Sequence, residues 1–209
     1  MKKLERFSLK KILSALAGVF LIAFGVAFNN CAGLGNDPVG IIYDGIRVFW
    51  GMTGEQLGMV SNVVNLTLVV VLFIIGRKYI SIGTVIYFLP YGTFVSLGSS
   101  FYAALQVPAV PAMQILFSVL GCLLLCMGVA VFIAVNIGVD PFTGIVLIIC
   151  DRTQKEYRFV KILFDIFCIM IGAILGGKLG VVTVVTALAT GPVIQFFTVR
   201  VKKYWLNEE

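Results

Sequence analysis

The chain has 209 residues, of which 60% are hydrophobic and only 12% charged, with a mean hydropathy of +1.05 and a net charge of +6. A soluble domain keeps roughly a quarter of its residues charged, so these figures exclude a water-soluble globular protein and specify an integral membrane protein. Histidine is absent, which removes the commonest general base, metal ligand and proton shuttle. With neither a nucleotide loop nor a hydrolase triad in the sequence, no enzyme activity, cofactor or metal is expected.

Lys2, Lys3, Arg6, Lys10 and Lys11 open the chain and precede an apolar run too long for a signal-peptide core, with no cleavage pattern after it. Crossing a ~30 Å hydrocarbon core takes about 20 helical residues. Six runs are long enough: roughly 10–33, 55–76, 79–103, 110–136, 158–177 and 179–200. Between the first two lies Pro38 to Trp50, and between the fourth and fifth Pro141 to Cys150. At ~1.5 Å per residue these pieces reach only about 15–20 Å, so they are expected to be re-entrant or interfacial. The uncharged stretch 99–113, with Pro108 and Pro111, is expected as the loop joining two halves. Cys31, Cys122, Cys126, Cys150 and Cys168 lie in or beside apolar segments without metal-ligand spacing and read as reduced thiols.

The chain repeats itself. Gly25-Val26-Ala27 is followed by Gly35-Asn36-Asp37-Pro38, and Gly128-Val129-Ala130 by Gly138-Val139-Asp140-Pro141, at a constant offset of 103. Further on the offset falls to about 100: Gly76-Arg77-Lys78 matches Gly176-Gly177-Lys178, Asn65 matches Asp165, and Thr84 and Gly92 match Thr183 and Gly191. The fall implies a shorter segment after the second Asp-Pro. Three spans per half is an odd number, so the halves enter the membrane from opposite sides and form an inverted repeat. The expected fold is an all-α membrane protein of six transmembrane helices as two inverted three-helix repeats, about 10–105 and 110–203, in a single domain 1–209. Each repeat has a short broken or re-entrant helix after its first span.

Charge placement orients the chain. With the N-terminus inside, the inner side carries Lys2, Lys3, Arg6, Lys10, Lys11, Arg77, Lys78, Arg152, Lys155, Arg158, Lys161, Arg200, Lys202 and Lys203, and the outer side only Arg47 and Lys178. That is the positive-inside asymmetry, with both termini cytoplasmic. The terminal Arg200-Val201-Lys202-Lys203-Tyr204-Trp205 reads as an interface anchor, not a nucleic-acid patch.

The candidate site follows from the breaks. Asp37-Pro38 and Asp140-Pro141 fit a helix start, with Asp at the N-cap and Pro at the first helical position. Irregular backbone at membrane depth is tolerated only where it is buried in protein or lines a wet cavity, and an ionisable residue there is a functional candidate. A bare helix N-terminus attracts anions. A carboxylate already occupies each of these ends, so a proton, a cation, or a cationic or neutral organic molecule is favoured. Asp165 has two readings, a helix-start acid paired with Lys161 at i−4 and a proton-coupling carboxylate. Asn65, Thr84 and Thr183 are supporting polar contacts. Pro90 and Pro192 are expected to interrupt the third and sixth spans, and the small-xxx-small pairs Ser14/Gly18 and Gly172/Gly176 to serve close helix approach.

At the Gly-x-Asp-Pro breaks, with the flanking Ala32-Gly33-Leu34-Gly35 and Ile82-Gly83-Thr84, the sequence resembles the bacterial YczE/YyaS/YitT-type membrane proteins, with Val39 and Phe142 where that family often has Trp. The resemblance implies a protein of the bacterial cytoplasmic membrane and leans towards transport. The expectation drawn is a small secondary transporter, an exporter of a small organic molecule with proton coupling open. Its alternatives are a substrate-binding membrane subunit of a multi-component transporter, or a channel or membrane scaffold. The expected partners are the lipid bilayer and a small-molecule or ion substrate; a homodimer is left open, and nucleic acid is not expected.

Overall fold

The structure is a computed structural model, and it describes residues 8–206; Lys2, Lys3 and Arg6 lie outside the described residues. Among the described residues there are eight α-helices: α1 Leu9–Ala32, α2 Pro38–Phe49, α3 Leu57–Ile75, α4 Ile82–Ala104, α5 Pro111–Val135, α6 Pro141–Thr153, α7 Tyr157–Ile174 and α8 Val181–Val201. Five of these stretches (α1, α3 with its preceding turn, α4, α5, and α8 with the following turn) are long and apolar enough to cross a membrane. The fifth expected span, α7, is a helix of 18 residues, but Arg158, Lys161 and Asp165 give it more charge than the others. The two short helices have 12 and 13 residues, about 18–20 Å at the helical rise.

Start and stop signals act as the side chains dictate. The Ser8 and Ser81 hydroxyls accept the Lys11 and Thr84 N–H groups at the heads of α1 and α4. Asp37 and Asp140 cap α2 and α6 with nearly identical backbone angles. Relative to α2 and its connector, α6 is one residue longer and its connector four shorter, which accounts for the fall in offset from 103 to 100.

Two expectations are corrected. Pro90 and Pro192 do not interrupt their helices, which run through both. Each proline frees one carbonyl, that of Ile86 or Leu188; nearby, the Gly92 N–H donates to Asn62 Oδ1 at 2.9 Å, and Thr186, Thr190 and Thr198 back-bond to other carbonyls of α8. The joining loop is only residues 105–110, because the flanking stretches are apolar helix rather than loop.

The centre of the molecule is a close crossing of α1 and α5. A Cβ on Gly18 would lie 2.9 Å from the Gly128 carbonyl oxygen, and one on Gly25 would lie 2.6 Å from that of Gly121. Gly18 thus meets Gly128 and Gly25 meets Gly121, so the helices are antiparallel. Between helices in lipid there is no hydrophobic drive, and small residues that let backbones touch supply the attraction. α4 runs parallel to α1, joined by a ladder of rings: Phe20 on Phe94, Phe24 and Phe28 on Phe101. α8 packs on α5, α2 on α7, and α3 on α4. The last contact is tight, with Gly58 and Gly92 back to back, whereas a Cβ on Gly191 would meet nothing within 4 Å. α7 and α8 make no contact comparable to that of α3 with α4. Trp205 donates to Ser14 Oγ at 2.8 Å and Lys10 to the Trp205 carbonyl at 2.5 Å, so the start of α1 and the end of the described chain share one end of the bundle.

Candidate functional site

Each Asp-Pro break is held by the other half of the chain. After α1 the chain turns back: Asn36 Nδ2 donates to the Val26 carbonyl at 3.1 Å and Asn36 Oδ1 accepts the Asp37 N–H at 3.0 Å. The Leu34 carbonyl then accepts the Val182 N–H at the head of α8 (3.0 Å), and the Ile137 carbonyl accepts the Gly83 N–H at the head of α4 (3.3 Å). Gly35 sits at φ +101° against Gly180 and Thr183, a left-handed conformation that favours glycine. Thr84 donates to the Val139 carbonyl at 2.8 Å, and Thr183 Oγ1 accepts the Gly180 N–H at 3.3 Å. The Thr84 hydroxyl therefore pins the second break, whereas that of Thr183 caps the head of α8 and packs against Gly35.

Asp37 Oδ2 accepts the Val39 N–H at 3.2 Å and Asp140 Oδ1 the Thr143 N–H at 3.0 Å; Pro38 and Pro141 occupy the first helical positions. Both carboxylates lie within electrostatic reach of the Tyr43, Tyr87 and Tyr91 hydroxyls. Tyr87 stacks on Tyr91 at 5.1 Å, Tyr43 lies 5.9 Å from Tyr91, and Phe142 meets Tyr43 edge-on at 5.9 Å. Asn65, fully buried, donates to the Tyr43 hydroxyl at 3.0 Å. From α7, Lys161 pairs with Asp165 at 2.6 Å and faces Asp140 and Asp37 as well. Asn65 thus touches this aromatic centre, Asp37 and Asp140 stand near it, and Asp165 lies beside them through Lys161. Asn65 Oδ1 is buried there without a hydrogen-bond partner, and Asp37 Oδ1 has none outside its own helix.

The three tyrosines were not singled out in the sequence. Their signal is there in retrospect: Tyr87 and Tyr91 stand one helical turn apart in an apolar run, and a buried hydroxyl needs a partner. Asp44 was missed too. It is 2% exposed and held by Arg47 at 2.7 Å, while its second oxygen accepts the Lys178 N–H at 2.9 Å. This fastens α2 to the turn between α7 and α8. Asp44→Ala strands the Arg47 guanidinium and is expected to cost about 3 kcal/mol. Asp44→Leu with Arg47→Met is expected to recover most of that loss, as read from thermal unfolding of the purified variants.

At the opposite end Asp151 accepts from both Lys78 and Tyr79 and fastens α6 to the turn between α3 and α4. The hydrogen bond from Lys78 holds the exposed Asp151 carboxyl below the usual carboxylate range. A depressed carboxylate contributes stability above its unfolded pKa and loses it as pH falls through the folded one. The unfolding temperatures of wild type and Asp151→Asn are therefore expected to differ slightly at neutral pH and to converge in acid, below the ordinary carboxylate range.

Among the surface clefts is one of about 340 Å³ bordered by Cys31, Glu55, Ser99 and Tyr102, and another of about 460 Å³ between α1 and α4. Neither is lined by Asp37 or Asp140.

Comparison with known proteins places these features in context. An uncharacterized protein of Haemophilus influenzae is 24% identical over 188 residues, covering 90% of this chain and 83% of the relative. The uncharacterized membrane protein YczE of Bacillus subtilis is 24% identical over 181 residues, 86% of this chain and 81% of its own. No solved structure matches. The model of a family of unknown function, DUF6198, matches residues 9–199. That match takes in every helix from α1 to α7 and nearly all of α8, and the likeness to YczE bears out the resemblance read from the breaks: the chain belongs to the DUF6198 family of YczE-type membrane proteins.

Proposed function

We propose that the chain is a small secondary transporter of the bacterial cytoplasmic membrane, an exporter of a small organic molecule, with both termini cytoplasmic and α7 as the fifth of its six spans. It works by alternating access between two inverted three-span repeats, α1–α4 and α5–α8. The observation that carries this reading is the crossing of α1 and α5. The offset of 103 turns Gly18 into Gly121 and Gly25 into Gly128, yet the contacts run Gly18 to Gly128 and Gly25 to Gly121. Exchange of partners under the repeat is what a twofold axis produces, and an axis in the membrane plane is the mark of inverted-repeat carriers.

A carrier also needs two arrangements of equal parts. The contact of α3 with α4 through Gly58 and Gly92 has as its equivalents Arg158 on α7 and Gly191 on α8, which stand apart. With the N-terminus inside, Gly58 is on the outer side and Arg158 on the inner side, so this is the inward-facing arrangement. Rocking one repeat against the other would close α7 on α8 and open α3 from α4. Asp37 and Asp140 contact the substrate, Asn65, Thr84 and Thr183 support that site, and Asp165 couples a proton, with Lys161 as the switchable partner.

The test needs no substrate. After the native cysteines are replaced, Ile162→Cys with Gly191→Cys, equivalents of Asn62 and Gly92, is placed in membranes and oxidised. Ile162 is exposed and Gly191 has open space, so both substitutions are tolerated. A disulfide requires Cα atoms about 4.4–6.8 Å apart. Its formation is the expected result; a pair that never closes overturns alternating access.

A further inference from the structure

We propose that the interior cluster of Asp37, Asn65, Tyr43 and Tyr91 binds an organic monocation, an amine carrying an aromatic or apolar body. The inference rests on the carrier reading for its biological setting but not for its chemistry. Three acids, Asp37, Asp140 and Asp165, stand here against one base, Lys161, and that base is spoken for by Asp165 at 2.6 Å. Among the described residues neither Asp37 nor Asp140 makes an ion pair. Carboxylates inside a membrane protein need a counter-charge or a proton.

The hydrogen-bond ledger points the same way. Asp37 takes only the Val39 and Gly40 N–H groups of its own helix, so that its Oδ1 and Asn65 Oδ1 have no partner across the cluster, and Asn65 is 0% exposed. Both are acceptors. An ammonium N–H satisfies them, whereas an anion brings further acceptors to the same place. Asn65 spends its amide donor on the Tyr43 hydroxyl, which leaves its oxygen buried beside Tyr43 as a free acceptor. There the rings of Tyr43, Tyr87, Tyr91 and Phe142 offer electron-rich faces to a cation and an apolar surface to its body. The half-helix ends oppose an anion too, since each already carries its carboxylate at the N-cap.

The experiment measures binding alone, in phosphatidylcholine nanodiscs, by equilibrium dialysis against empty discs. The probes share one ring system: 1-naphthylmethylamine (cationic at pH 7), 1-naphthylmethanol and naphthalene-1-sulfonate. Saturable binding of the amine, at least tenfold tighter than the alcohol and with none for the sulfonate, is expected. Asp37→Asn keeps a competent cap and is expected to weaken the amine at least tenfold while leaving the alcohol unchanged. Equal binding of the three probes, or no binding of the amine, overturns the proposal on wild-type protein alone; so does a variant that binds the amine as wild type does. The α7–α8 cross-link reports on the carrier reading without any ligand, so the two failures are told apart.

Discussion

Gly25→Val is expected to leave almost no folded protein, with a loss of about 3 kcal/mol or more in whatever survives. Its Cβ would stand 2.6 Å from the Gly121 carbonyl oxygen and 2.7 Å from the Leu125 nitrogen. These are backbone atoms of the facing helix, so no rotamer change relieves the clash, and overpacking of a tight contact costs ~1–3 kcal/mol even where side chains can move. Lipid tails are as apolar as the side chains, so helices pushed apart lose the van der Waals contact that holds them. Gly128→Val, facing Gly18 and Ile22 at 2.5 and 2.6 Å, is expected to fail in the same way. Gly191→Ala is the control: it meets nothing within 4 Å and exchanges a poor helix former for the best one, a gain of ~1 kcal/mol. Yield of monodisperse protein and thermal unfolding read all three. Similar behaviour at Gly25 and Gly191 would show that the α1–α5 crossing is not the seam of the fold.

The second large effect tests the balance between the two arrangements proposed above. Gly58→Val places a Cβ 2.1 Å from the Gly92 carbonyl oxygen and 2.2 Å from Ser96 Oγ, prising α3 from α4 on one side only. The penalty of ~1–3 kcal/mol falls on the arrangement in which that contact is closed. A bias of that size shifts a two-state population by roughly 5- to 150-fold. The Ile162→Cys/Gly191→Cys pair is therefore expected to cross-link about tenfold faster in the Gly58→Val background. A plain loss of stability slows or abolishes cross-linking instead, so the sign of the change separates a displaced equilibrium from a damaged fold. An unchanged rate would mean that the two contacts are not alternatives.

Much of the architecture could be read along the chain because helix ends in a membrane are written in local chemistry. Asp before Pro started α2 and α6 where expected, Gly33 and Asn136 stopped α1 and α5 in left-handed caps, and the i, i+4 spacing of Lys161 and Asp165 became an ion pair. Where local chemistry was ambiguous the reading went wrong. Proline frees the carbonyl four residues before it, but the loss of one hydrogen bond does not end a helix held by its neighbours, and α4 runs on through Pro90 with Asn62 of α3 bonded to its Gly92 N–H.

The amino-acid sequence by itself determined the membrane class, most of the apolar segments and the two capped breaks, because composition and capping depend on residues near in sequence. The tertiary structure decided which polar groups meet: the ring of tyrosines around Asp37 and Asp140, the Asp44–Arg47 pair on the Lys178 N–H, and the clamping of each break by the opposite half. The physical reason lies in the solvent. In lipid a helix is apolar on every side, so no polar stripe marks its inner face, and only the contacts of folded neighbours reveal which glycine touches backbone and which, like Gly191, faces open space.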